Sequence, residues 1–117
     1  MATFTALYDA CVLYPAPLRD LLIRLAMTGL FRAKWTDDIH DEWIRNLLVD
    51  RPEIKPEYLK KTRDLMNKHV LDSLVTGYHE LIPVLKLPDP DDRHVLAAAI
   101  RAKASVIVTT STRPSLK

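Results

Sequence analysis

The stretch DDRHVLAAAIRAKASVIVTT, residues 91–110, combines the two kinds of segment from which the fold is built. Its alanine-rich first part predicts a helix over residues 92–103, since alanine is the strongest helix former. The β-branched run SVIVTT at 105–110 predicts a strand that follows this helix closely. A helix that leads directly into an apolar strand indicates a layered α/β fold.

The same alternation of strand and helix continues toward the N-terminus. FTALY at 4–8 is an apolar run that predicts a buried strand, and FRAKW at 31–35 alternates as a half-exposed strand does. Apolar periodicity predicts helices over 18–27, 36–48 (capped by Thr36) and 57–70. In the last of these, Leu59, Leu65 and Met66 are expected among the residues that face inward. Strands separated by helices predict an α/β sandwich with a mainly parallel central sheet flanked by helices.

Composition limits the class of protein. The 117 residues suffice for one domain with one core, and we expect a single domain over residues 1–117. No apolar run is long enough to span a membrane, so no membrane association is expected, and the N-terminus lacks the features of a signal peptide. The single cysteine, Cys11, excludes an internal disulfide and favours a cytoplasmic location, where it would fill a small apolar site. The net charge of +2 is too small to indicate nucleic-acid binding by itself.

Three acidic residues are expected at one edge of the sheet, where the strands have their carboxyl ends. Asp9 ends the first strand, Glu42 lies one turn into the second helix, and Asp92 begins the alanine-rich helix. Ligands of parallel sheets bind beyond the carboxyl ends of the strands, a region that also includes residues 109–111. Carboxylates that converge there would need a cation such as Mg²⁺ or Mn²⁺. A cation held in this way supports metal-assisted hydrolysis of a phosphodiester.

Each acid also has an ordinary structural explanation, and the pattern alone leaves both open. Asp9 is a common turn residue, and Asp92 is a common N-cap or first-turn acid of a helix. Glu42 is also consistent with a solvated residue that pairs with Arg45 or Asn46. Arg93 is either a phosphate contact or an exposed surface residue. His94 is either a partner of an acid or phosphate or an exposed residue, and we expect the exposed position.

Other chemistries find less support in the sequence. Gly29 and Gly77 are the only glycines, which excludes a nucleophile elbow, a P-loop and a dinucleotide-binding loop. The four histidines show no zinc-binding spacing. Trp35 and Trp43 are expected in the core or at an interface rather than as platforms for bases. The basic side chains of the helix predicted over 57–70 form either a solvated helix face or a surface that attracts RNA.

Three segments, ALYDACVLYP, TDDIHDEWIRNLL and LPDPDDRHVLAAAIRAKASVIVTT, resemble the PIN domain, and in particular the VapC-like toxin ribonucleases of bacterial toxin–antitoxin pairs. The resemblance covers residues 5–110 and implies a Mg²⁺- or Mn²⁺-dependent endoribonuclease with a PIN-like three-layer fold. It implies an RNA substrate, a cognate antitoxin and a homodimer. Position by position, it implies metal ligation and catalysis by Asp9, Glu42 and Asp92, outer ligand groups at Asp89, Asp91 and Ser111, and RNA contacts from Arg93 and His94.

The chain departs from the family pattern after the last predicted strand. The family usually carries an asparagine and then a fourth acid, and the corresponding positions here are Ser111 and Pro114. We therefore expect a PIN-like domain without the C-terminal strand and helix and without the fourth acid. Two alternatives follow from this departure: a catalytically impaired module that binds an antitoxin or RNA, and a remnant that mainly dimerises.

Overall fold

The computed structural model of the chain describes residues 4–86 and 93–110, together with the backbone of residues 90–92. It contains three short strands, β1 (Thr5–Tyr8), β2 (Arg32–Lys34) and β3 (Val106–Val108). They form one sheet in the order β2-β1-β3, and β1 pairs in parallel with both neighbours. The expected α/β fold with a parallel central sheet flanked by helices is confirmed.

In the described part of the chain, five α-helices and one 3₁₀ segment connect and cover the strands. The helices are α1 (Ala10–Leu13), α2 (Ala16–Met27), α3 (Asp37–Asp50), α4 (Pro56–His69) and α5 (Pro90–Ala102), and the 3₁₀ segment is His79–Val84. The four longer helices lie within a few residues of their predicted bounds. The short helix α1, which begins directly after the first strand, was not predicted. The 3₁₀ segment packs against α5, and α1 packs against α3.

Local chemistry explains where α2 and α3 begin and where the chain turns after α2. The side chain of Thr36 accepts a hydrogen bond from the backbone N–H of Ile39, which caps α3 as predicted. Pro17 lies in the first turn of α2, where a missing N–H costs nothing. Gly29 follows this helix with a φ of +80°, a conformation that glycine adopts without strain.

The core is built on the central strand and on one face of α3. Leu7 and Tyr8 of β1 are fully buried, as are both tryptophans, Trp35 and Trp43. The predicted core position of the tryptophans is therefore confirmed. Leu65, expected to face inward from α4, is instead 43% exposed, whereas Leu59 and Met66 on the same helix are buried. Within the described residues, no helix is both long enough and apolar enough to cross a bilayer.

A polar network lies inside this core. The indole N–H of Trp43 donates to Nδ1 of His40 at 3.0 Å. Because Nδ1 accepts this bond, the neutral ring carries its proton on Nε2, which lies 3.1 Å from Oδ1 of Asn67. The same amide oxygen accepts a 2.7 Å hydrogen bond from the indole of Trp35. His40 is fully buried, and burial lowers the pKa of its ring by more than the hydrogen bond to Asn67 raises it, so the folded chain favours the neutral histidine.

Stability is expected to fall as the pH is lowered below about 6.5, the ordinary pKa of histidine. Below that value the unfolded chain binds a proton at His40, whereas the folded chain does not until its lowered pKa is reached. The free energy of unfolding should therefore lose up to about 1.4 kcal/mol per pH unit in this window from His40 alone. Urea unfolding from pH 7.5 to 5, for wild type and His40→Gln, measures the difference. Equal slopes for the two proteins would contradict this assignment.

Candidate metal centre

The carboxyl ends of all three strands meet at one edge of the sheet because the strands are parallel. Asp9 follows β1, Trp35 follows β2, and Thr109 follows β3. The backbone N–H of Asp9 donates to the carbonyl of Val108 at 3.0 Å, which extends the pairing of β1 with β3 to this edge. The side chains of Asp9 and Thr109 are thereby brought together, as the sequence predicted for the residues after the strands.

Hydrogen bonds orient the Asp9 carboxylate. Its Oδ1 accepts a 2.7 Å bond from the backbone N–H of Ala10, so Asp9 caps the short helix α1. Its Oδ2 accepts a 3.1 Å bond from the hydroxyl of Thr109. Oδ1 has a second lone pair, so this oxygen remains able to bind a cation. Asp9 is therefore a helix cap whose carboxylate is also held at the carboxyl edge of the sheet, and the two roles are compatible.

Cys11 belongs to this group of side chains and also packs against the apolar core. Its Sγ lies 3.5 Å from Oδ2 of Asp9 and 2.9 Å from the hydroxyl oxygen of Thr109, and it accepts a bond from the backbone N–H of Thr110. The prediction of a small buried apolar residue was right only in part, since Cys11 packs against the core but its side chain is only partly buried and its Sγ makes these polar contacts. The thiol links the first turn after β1 to the end of β3.

Glu42 lies on α3 with its side chain 22% exposed, and its Oε1 is 3.4 Å from Nε2 of His94 on α5. The alternative of a solvated Glu42 paired along its own helix is therefore wrong. The expected exposed position of His94 is also wrong, because only 13% of its side chain is accessible. His94 is thus the partner of an acid, the alternative to the exposed position, but no local pattern indicated that this acid would be Glu42 of a distant segment.

Asp38 is a further carboxylate near this region that sequence reasoning missed. Its Oδ2 accepts hydrogen bonds from the hydroxyl of Tyr78 at 2.5 Å and from Nε2 of His79 at 2.8 Å. Burial acts to raise the pKa of Asp38, but these two hydrogen bonds and the charges of His79 and His94 outweigh it, so the pKa lies below its usual value. The one available signal was its spacing, four residues before Glu42 on the same helix face.

The structure describes the remaining predicted site residues only in part. Asp91 and Asp92 belong to the first turn of α5, which begins at Pro90, so Asp92 is inside the helix rather than its cap. Asp89 and Ser111 lie outside the described residues. Arg93 is half-buried on α5. Within the part of the chain whose side chains are described, which does not include Asp92, no three His, Cys, Asp or Glu side chains are grouped as metal ligands.

The chemistry of the described groups suits a hard cation. Asp9 and Glu42 offer carboxylate oxygens, and Thr109 adds a hydroxyl next to Asp9. Mg²⁺ and Mn²⁺ prefer such oxygen ligands and retain several waters, so they need few protein groups. The residues present therefore fit a divalent cation of this kind.

Comparison with known proteins identifies the family. Residues 5–113 match the PIN domain family. No curated protein and no solved structure matched the chain. PIN domains are generally nucleases and usually use divalent metal ions. Since the match covers nearly the whole chain, this protein belongs to the PIN domain family.

Proposed function

We propose that this PIN domain is an endoribonuclease that hydrolyses RNA phosphodiester bonds with Mg²⁺ or Mn²⁺. Asp9, Glu42 and Asp92 are the proposed metal ligands and catalytic residues. The observation that carries the proposal is the Asp9 carboxylate, which the Ala10 N–H and the Thr109 hydroxyl hold at the carboxyl edge of the sheet. Ligands of open parallel sheets bind at this edge.

The protein's own residues orient the proposed metal ligands and supply the negative charge that attracts a cation. Asp9 is restrained in one rotamer by its two hydrogen bonds, which reduces the entropy that cation binding would cost. Glu42 is held toward α5 by His94, and α5 carries Asp92 in its first turn. When bound, the cation would supply Lewis-acid activation of a water and stabilise charge on the phosphate. Asp89, Asp91 and Ser111 are proposed as outer groups that support the ligands, and Arg93 and His94 as contacts to the RNA backbone.

A biological role as a toxin follows from the resemblance to the VapC-like ribonucleases. On this proposal, the chain forms a single domain over residues 1–117, acts in the cytoplasm as a homodimer, and is restrained by a cognate antitoxin. The support is the three sequence segments around Asp9, Glu42 and Asp92 that carry the resemblance. The position corresponding to the family's fourth acid is Pro114, so these three acids would have to suffice.

Metal-dependent cleavage tests the proposal. The purified chain is incubated with a mixed-sequence single-stranded RNA in Mg²⁺, in Mn²⁺ and in EDTA, and the products are separated on a denaturing gel. We expect internal cleavage with at least one cation and none in EDTA, because the carboxylates act through the cation. A chain that melts cooperatively yet cleaves RNA with neither cation would contradict the proposal and favour a binding module.

A further inference from the structure

Two carboxylates of α3 each contact a histidine from another part of the chain. Asp38 and Glu42 are four residues apart, which places them one turn apart on one face of the helix. Nε2 of His79 lies 2.8 Å from Oδ2 of Asp38, and Nε2 of His94 lies 3.4 Å from Oε1 of Glu42. This face of α3 is therefore tied to the 3₁₀ segment at one turn and to α5 at the next.

The contact at Asp38 is the more fixed of the two because it has two donors. The hydroxyl of Tyr78 and Nε2 of His79 both reach Oδ2. Tyr78 is 2% exposed, so its ring is a rigid support, whereas the His79 side chain is 67% exposed. Hydrogen bonds to a carboxylate are stronger than those between neutral groups. Groups of the protein itself therefore hold Oδ2 of Asp38 in place.

The position of this contact connects it to the proposed metal site. The first turn of a helix has unsatisfied N–H groups and is the part that frays most easily. Asp38 lies in that turn, and Glu42 lies one turn further along the same face of α3. The 3₁₀ segment that begins at His79 packs against α5, the helix that carries Asp92. The Asp38 contact therefore fixes the start of α3 relative to the segment on which α5 rests.

We propose that Asp38, Tyr78 and His79 are positioning residues, which hold α3 so that the Glu42 carboxylate stays in place for cation binding. The inference rests on the proposed function, because it assumes that Glu42 is a ligand. Ligand groups need to be held to within about 0.5 Å of their working geometry, and loss of a supporting hydrogen bond typically weakens metal affinity about 10- to 100-fold. If the Asp38 contact only anchored the 3₁₀ segment, its loss would lower the stability of the fold and leave the cation affinity of the folded protein unchanged.

Titration with Mn²⁺ alone, followed by the EPR signal of the free ion, tests this assignment. The Tyr78→Phe/His79→Ala variant removes both donors, and we expect its Mn²⁺ dissociation constant to rise about 10-fold or more. His79→Gln keeps an N–H donor and should retain nearly the wild-type value. Tyr14→Phe is the matched control, since it removes the same kind of bond, from Tyr14 to Asp50, at the other end of α3.

The outcomes separate the inference from the function on which it rests. Wild-type protein that binds no Mn²⁺ would overturn the proposed metal site, and the positioning role with it. A folded double variant with wild-type affinity, or an equal loss in Tyr14→Phe, would overturn the positioning role alone. Should the double variant fail to fold, His79→Ala decides the question, because this side chain is mostly exposed. An unchanged dissociation constant in that variant would also overturn it.

Discussion

The Asp9→Asn variant is expected to lose RNA cleavage by at least about 100-fold while it keeps its fold. Asparagine retains an oxygen that accepts from the Ala10 N–H, and it is as good a helix cap as aspartate. It lacks the negative charge that holds a cation, however, and metal-assisted stabilisation of the transition state is worth several kcal/mol. A loss of about 2.7 kcal/mol corresponds to the 100-fold decrease in rate.

Cleavage rates in Mn²⁺ and thermal melting curves, measured on the same preparations, check this result. Asp64→Asn is the matched control, because its side chain is 72% exposed on α4 and pairs with the neighbouring Arg63. The control should cleave at the wild-type rate. An Asp9→Asn protein that melts like wild type and still cleaves RNA would exclude Asp9 as a metal ligand. A melting temperature that drops sharply would instead assign Asp9 a mainly structural role.

The Trp43→Ala variant is expected to lose about 3–5 kcal/mol of unfolding free energy, the usual cost of deleting a buried aromatic side chain. The Trp43 ring is fully buried and its indole N–H donates to His40. The guanidinium of Arg19 lies 4.6 Å above its centroid. Truncation leaves a cavity, removes this cation–π contact and deprives Nδ1 of His40 of its donor, and all three changes destabilise the fold.

Urea denaturation at pH 7.5 measures the loss. Tyr58→Ala provides the control, because this aromatic side chain is 64% exposed on α4 and such changes cost within about 0.5 kcal/mol. Trp43→Phe should lie between the two, since it keeps a ring under Arg19 but lacks the N–H. A Trp43→Ala protein as stable as the Tyr58→Ala control would show that the core does not depend on this residue.

The sequence predicted those parts of the fold that local patterns encode. The alternation in FRAKW and the apolar runs FTALY and SVIVTT gave strands, and Thr36 gave the start of α3. Such signals work because propensity, periodicity and capping act between residues a few positions apart. Leu65 shows where periodicity alone is insufficient, since a helical stripe predicts a face but not how much of it a neighbouring element covers.

The position of Asp9 at the edge of the sheet was predictable from the sequence, but the partners of its carboxylate were not. Asp9 was expected at the carboxyl edge because it ends a strand, and the parallel sheet places it there beside Thr109. The role of Cys11 was missed because a single cysteine in an apolar setting is usually a core residue. Its polar contacts depend on Thr109 and Thr110, which no local pattern relates to it.

By itself, the sequence determined the order of helices and strands, the α/β class and the position of Asp9 at the carboxyl edge of the sheet. Only the tertiary structure decided which side chains meet there. Thr109 donates a hydrogen bond to Asp9 although the two residues are 100 positions apart in the sequence, and Tyr78 donates one to Asp38 from 40 positions away. The physical reason is that a hydrogen bond between distant residues depends on the path of the whole chain, whereas a strand or a helix depends mainly on its own neighbours.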